Sequence, residues 1–277
     1  MSRLTRSMSS EIRKVRSTKL WWILAIVLAG YSAFLGALFA FLFSSMGEAL
    51  GGTGLDLPAQ QAANLVYSTV STSGYVIPLL FGALMATGEI RHRTIGLTFT
   101  LEPKRGIVLT SKALVLFGIG LVIGIAGLIG AVGAGAVVLE STGGDAMLGT
   151  AETWLVIVRV LAAMAIWAII GFGVGILVRN QAFAIVITLV FTQFLEPILR
   201  TVAQFLDWSA HVAKYLPGAA TDAFVGAGAL SDLSTIDPSM PAGVAPLGIW
   251  TGLAVLLGYA LVAVLAGWLF RWRKDVA

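Results

Sequence analysis

The sequence predicts an all-α membrane protein with six transmembrane helices and both termini in the cytoplasm. Three observations predict it. Only 12% of the 277 residues are charged and 58% are hydrophobic, with a mean hydropathy of +0.92, whereas a soluble domain carries about a quarter charged residues. Six apolar runs are each long enough for the roughly 20-residue helix that crosses a bilayer. The basic residues alternate between connections in the pattern that fixes membrane topology. The whole chain, residues 1–277, is expected to be one transmembrane domain.

The runs are Leu20–Phe43, Leu65–Ala86, Ala113–Leu139, Trp154–Val178, Phe183–Phe205 and Leu247–Phe270. The first is too long for the apolar core of a cleavable signal, has a long basic lead and shows no persuasive small-x-small cleavage site, so it reads as a retained span. Orientation follows from Lys and Arg. Arg3, Arg6, Arg13, Lys14, Arg16 and Lys19 precede the first span, while Arg91, Arg93, Lys104, Arg105 and Lys112 lie between the second and third. Arg179 follows the fourth, and Arg271, Arg273 and Lys274 follow the sixth. The alternate connections hold only Lys214 but carry Glu48, Asp56, Glu140, Asp145, Glu152, Asp207, Asp222, Asp232 and Asp237. Both ends are therefore expected inside.

In the N-terminal segment, residues 1–19, Leu4, Met8, Ile12 and Val15 share one helical face. The expectation is an amphipathic interfacial helix with that face in the acyl boundary and its cations near anionic headgroups; a disordered basic leader is the alternative. Trp21 and Trp22 suit the membrane interface. Between spans 2 and 3, Ile95, Leu97, Phe99 and Leu101 alternate, which by periodicity favours a strand, and Pro103 ends whatever precedes it. Glu89 and Arg93 can pair at i, i+4 if the segment is helical there. Between spans 5 and 6, Trp208, Val212, Tyr215 and Leu216 fit a short external amphipathic helix stopped by Pro217-Gly218.

Within the spans, Gly120 with Gly124 and Gly171 with Gly175 form small-xxx-small pairs, read as intramolecular packing. Ser68, Ser71 and Thr72 in the second span either line a polar pathway or bond back to their own helix. Arg159, Glu196 and Arg200 lie at membrane depth, where charge is costly. Arg159 and Arg200 can snorkel outward. Glu196 and Arg200 can pair at i, i+4, and Glu196 is a candidate for pathway lining or for a structural pair.

The composition also argues against several functions. There are no cysteines and only two histidines, His92 and His211, which leaves no thiolate chemistry and a poor ligand set for zinc or haem. The net charge of +4 does not point to nucleic acid, because the basic residues flank apolar runs. No Gly-x-x-x-x-Gly-Lys-Ser/Thr occurs, so the phosphate cradle of P-loop enzymes is missing. No cofactor is expected in this chain, and the chain is not expected to be an enzyme.

From Gly88 onward the sequence resembles the exporter-type, type-2 ABC transporter permeases, whose half-permeases have six spans and no fused ATPase. The resemblance rests on Gly88-Glu89, Arg91, Arg93-Thr94, Pro103, Arg105 and Lys112. It is extended by the basic lead from Ser10 to Lys19, similar to the family's N-terminal elbow, and by Tyr215-Leu216-Pro217-Gly218, similar to its external Leu-Pro motif. Against the periodicity, it implies a cytoplasmic coupling helix around Arg93–Leu101 seated in an ATPase groove. Glu89, Arg91, Arg93, Thr94, Leu97, Phe99, Leu101, Pro103 and Arg105 are then the coupling candidates. Ser68, Ser71, Thr72, Glu196 and Arg200 are the pathway candidates. The implied function is the transmembrane subunit of an ATP-driven exporter in a bacterial plasma membrane. Its implied partners are a second permease copy or paralogue and two P-loop ATPase subunits that bind the ATP and Mg. A gradient-driven transporter and a non-transporting accessory subunit are the alternatives. The substrate is not legible.

Overall fold

The computed structural model describes residues 2–49, 57–92, 94, 96, 98, 100, 102–178, 180–203, 207–227 and 247–272. Among these there is no strand. An N-terminal helix, α1 (Arg3–Ser17), is followed by six stretches long and apolar enough to cross a membrane. They are carried by α2 (Leu20–Ala49), α3 (Ala59–Thr72) with α4 (Val76–Arg91), α5 (Arg105–Ser141), α6 (Ala151–Val178), α7 (Gln181–Val190) with α8 (Glu196–Val202), and α11 (Ile249–Gly267). Two short helices, α9 (Asp207–Ala213) and α10 (Pro217–Val225), stand between the fifth and sixth spans. All six expected spans are present. The third begins eight residues earlier than its apolar run, at Arg105, and the expected end of the fifth, at Phe205, lies outside the described residues.

The fourth span is the axis of the bundle. Its apolar window is 67% buried, against 28%, 22% and 17% for the first, fifth and sixth, which present their side chains outward. α6 packs on α4, α5 and α11, and α5 packs on α2. Without water to expel, helix association in a bilayer depends on close van der Waals approach, and glycines supply it here. A side chain on Gly171 or Gly175 would collide with the backbone of Leu79 or Ala83 in α4, and one on Gly120 with the backbone of Ala165 in α6. Both glycine pairs thus pack within the chain.

Two spans are irregular. The second breaks at Ser73-Gly74-Tyr75, where Gly74 lies so close to Val70 and Leu28 that a Cβ would clash with both. The fifth contains a π-helical turn, Phe191–Leu195, in which the Glu196 amide bonds back to the Phe191 carbonyl. Such wide turns free a carbonyl for other partners. The Tyr75 hydroxyl uses this, donating to the Thr192 carbonyl at 3.3 Å and so joining the two irregularities.

Three local expectations are corrected. The apolar face of α1 is not turned wholly outward: Val15 is buried and Met8 packs on the protein core, against α5. The face is also rotated, with Glu11 buried and Ile12 44% exposed. Pro217 does not merely stop a helix. α9 ends earlier, at Ala213, and Pro217 opens α10, the position where its missing N–H costs nothing. The segment after span 2 shows helical rather than strand geometry where it is described. Gly96, Thr98 and Thr100 are helical, with Thr98 N–H donating to Thr94 O at 3.2 Å and Glu102 N–H to Thr98 O at 3.0 Å. Ile95, Leu97, Phe99 and Leu101, whose alternation suggested a strand, lie outside the described residues.

Candidate functional site

At the end of the bundle that carries α1 and the α4–α5 connection, four charged side chains from three helices converge. The Lys112 ammonium of α5 donates to Glu11 Oε2 of α1 at 2.6 Å and to Glu89 Oε1 of α4. Lys14 of α1 donates to Glu11 Oε1 at 2.7 Å and to Glu89 Oε1 at 2.8 Å. Two acids and two ammoniums close a neutral ring in which each Glu bridges both Lys. Val15, Met85, Val115, Leu116 and Phe172 wall the cavity beside Glu11 and Lys112, which explains why no charge there is left alone: an unpaired ion among such side chains would cost several kcal/mol. Burial pulls the Lys14 pKa down, but its hydrogen bonds to Glu11 and Glu89 outweigh that and raise it above 10.5. A second α1–α5 contact, Ser7 Oγ to Ser111 Oγ at 2.7 Å, lies one turn away.

The ring touches the connection that follows span 2. Lys14 Nζ also donates to Thr98 Oγ1 at 3.3 Å. Thr94 N–H donates to the Glu89 carbonyl at 3.0 Å, so the chain enters that connection from a residue whose side chain is fixed in the ring. Arg91 reaches the other way, to Gln181 Oε1 at the start of the fifth span, at 2.9 Å.

At the opposite end, α10 is buried along most of its length and held at its N-terminus. Glu196, only 1% exposed, accepts at Oε1 from the Gly218 N–H and, at 3.2 Å, from the Ala219 N–H. A carboxylate on these unpaired amides complements the positive end of the helix. Gly218 is required by the approach, since a Cβ there would stand 2.5 Å from Glu196 Oε1. At the C-terminal end the Arg159 guanidinium comes up beside Gly226, which closes the helix in the left-handed conformation (φ +90°). Along its side, Thr221 Oγ1 accepts from Trp167 Nε1 at 3.0 Å, and the Trp167 ring stacks on Tyr75 at 4.3 Å. Arg200 donates to Asp222 at 2.6 Å. Burial raises the Asp222 carboxyl pKa although Arg200 draws it the other way.

Several expected site residues can now be placed. Glu196 and Arg200, expected as a possible pair, instead take separate partners on α10: the helix N-terminus and Asp222. The geometry favours α10 because Glu196 reaches amides that have no other acceptor within their helix. Ser68, Ser71 and Thr72 each donate back to their own helix, to the carbonyls of Leu65, Ser68 and Thr69. Arg159 serves α10. Glu89 is enclosed in the ring, and Pro103 is exposed. Arg93, Leu97, Phe99 and Leu101 lie outside the described residues.

Glu11, Lys14 and Lys112 were not singled out as site residues by the sequence. One signal was available. Glu11 is the only acid in the first 47 residues, and it falls at the spacing of Leu4, Met8 and Val15 on the face that packs inward.

Six apolar spans, the fourth buried among the other five, with buried polar contacts at both ends, define a multi-pass membrane protein. The model of the family described as ABC-2 family transporter protein matches residues 7–194, about two thirds of the chain. The chain belongs to this family and is a transporter permease. The match takes in α1, the charged ring and the α4–α5 connection. Comparison with curated proteins gives no match.

Proposed function

We propose that this chain is the transmembrane subunit of an ATP-driven exporter, working as a dimer with two separate ATPase subunits docked at the end that carries α1 and the α4–α5 connection. That end is the cytoplasmic one on the charge asymmetry of the connections. The observation that carries the reading is the contact of Lys14 with Thr98: it joins the connection after span 2 to α1, α4 and α5 through one buried ring. A push on residues 92–104 would then reach the first, second and third spans together, as a rigid-body change of access requires. Glu89, Arg91, Arg93, Thr94, Leu97, Phe99, Leu101, Pro103 and Arg105 form the coupling region. Phe99 and Leu101 supply the apolar contact, and Glu89 fixes the segment to the bundle. ATP and Mg are held by the ATPase. Glu196 sets the position of α10 at the far end of the pathway. The test is copurification of an ATPase with the wild-type permease, followed by ATP hydrolysis and transport in reconstituted vesicles, with Phe99→Ala expected to weaken all three.

A further inference from the structure

α1 has a second face that the bundle does not use. Arg3, Arg6, Arg13 and Arg16 are all exposed; at 100° per residue Arg6, Arg13 and Arg16 fall on the side of the helix opposite Glu11 and Val15, with Arg3 at its edge. The sole acid of α1, Glu11, is turned inward and shared between Lys112 and Lys14, so nothing on the helix balances this stripe. The described contact of the four guanidiniums with their own chain is one bond from Arg13 Nε to the Ser9 carbonyl at 3.4 Å. The stripe is also close to the bilayer. Only Thr18 and Lys19 separate α1 from the first span, whose opening turn carries Trp22 at 42% exposure, and Ile12 beside the arginines is 44% exposed. Trp at this depth marks the headgroup layer.

We infer that the arginine face of α1 is a binding surface for anionic phospholipid headgroups. Guanidinium is suited to this: it is always charged, weakly hydrated and forked to match two phosphate oxygens. An unbalanced row of four, continuous with a membrane span, has phosphodiesters within reach. The inner face locks α1 to α4 and α5, so the stripe is presented in a fixed orientation rather than on a mobile leader. α1 thus sits between the membrane surface and the charged ring, its two faces given to different partners. The inference does not depend on an ATPase.

The experiment uses the full chain in detergent, equilibrated with equal amounts of phosphatidylglycerol and phosphatidylcholine and read by native mass spectrometry for retained lipid. Wild type should retain phosphatidylglycerol in several-fold excess, and raising the salt should remove the excess while phosphatidylcholine stays constant. Each arginine near an anionic surface contributes about a fivefold gain, so Arg13→Gln with Arg16→Gln should remove the several-fold excess and leave the two lipids retained about equally. Arg13→Lys with Arg16→Lys should lose less, since the charge remains and only the fork is lost. No preference in wild type would overturn the inference. So would an unchanged excess in the glutamine variant, even if that variant lost binding to a soluble acidic protein, which would assign the face to a protein partner instead. The wild-type salt series stands even if a variant assembles poorly.

Discussion

Glu11 and Lys112 are 101 positions apart in sequence and form a buried ion pair at 2.6 Å, with both side chains only 5–6% exposed. The pair joins the helix that precedes the first span to the start of the third. It is supported on either side by Glu89 and Lys14, and removing any one member leaves a charge without its balance.

Breaking the pair from one side should therefore be costly. Glu11→Ala leaves Lys112 with only Glu89 in a largely apolar pocket and should destabilise the permease by about 3–5 kcal/mol. Removing both partners, Glu11→Leu with Lys112→Met, leaves Glu89 balanced by Lys14 and should recover most of the loss. Thermal unfolding of the purified protein in detergent reads both; a double variant no more stable than the single change would show that charge pairing is not what holds α1.

The Lys14 contribution has a defined pH window. Its pKa is raised above 10.5 in the folded chain, so the stabilisation is fully present below that value and is lost as pH rises through the folded pKa. The difference in melting temperature between wild type and Lys14→Met should stay level from neutral pH to about 10, and shrink at higher pH. A difference that is constant into the alkaline range would exclude an ionic role.

Glycine contacts predict a contrast within the spans. Gly171 faces the Leu79 carbonyl so closely that a Cβ would overlap it, whereas a Cβ on Gly133 would meet nothing within 4 Å. Gly171→Val should force α4 and α6 apart and lower assembled yield sharply. Gly133→Val should be tolerated. Equal losses would mean that helix propensity, not packing, decides.

Glu196 separates two roles. Glu196→Gln keeps a carbonyl acceptor for the Gly218 and Ala219 amides, so thermal stability should fall only slightly, while Glu196→Ala leaves buried amides unmatched and should cost about 1–3 kcal/mol. If the charge also acts on the pathway, the glutamine variant should change transport at normal expression. Parallel loss of transport and assembled protein would confine Glu196 to holding α10.

The six spans were legible because twenty consecutive apolar side chains admit few alternatives in a chain this poor in charge. The glycine contacts were legible for the same reason: small residues in lipid-exposed helices have little use but approach. The ring was not, because Glu11, Glu89 and Lys112 are brought together by tertiary packing that no local period records, and Lys112 looked like a topology signal. The partners of Glu196 and Arg200 were misread because i, i+4 spacing ranks neighbours on one helix and ignores α10, which competes for both. Strand-like alternation at Ile95 to Leu101 misled as well: the described residues between them are helical, and a period read over seven residues separates the two states poorly.

Topology gives an independent check. Cysteines at Ser45, Ser141 and Ser231 should react with an impermeant reagent on intact cells, and those at Ser10 and Thr98 only after permeabilisation. Reaction at Thr98 from outside would invert or break the six-span assignment and place the coupling region on the wrong side of the membrane.

The central claim is that residues 89–105 carry force from an ATPase into the bundle. The most direct measurement is reconstituted transport and ATPase retention for Phe99→Ala with Leu101→Ala, beside wild type. Burying a phenylalanine contributes about 1.5–3 kcal/mol, so losing both side chains should reduce ATPase retention at least tenfold and uncouple hydrolysis from transport, with membrane insertion unchanged. Wild-type ATPase binding and transport in the double variant would contradict the account.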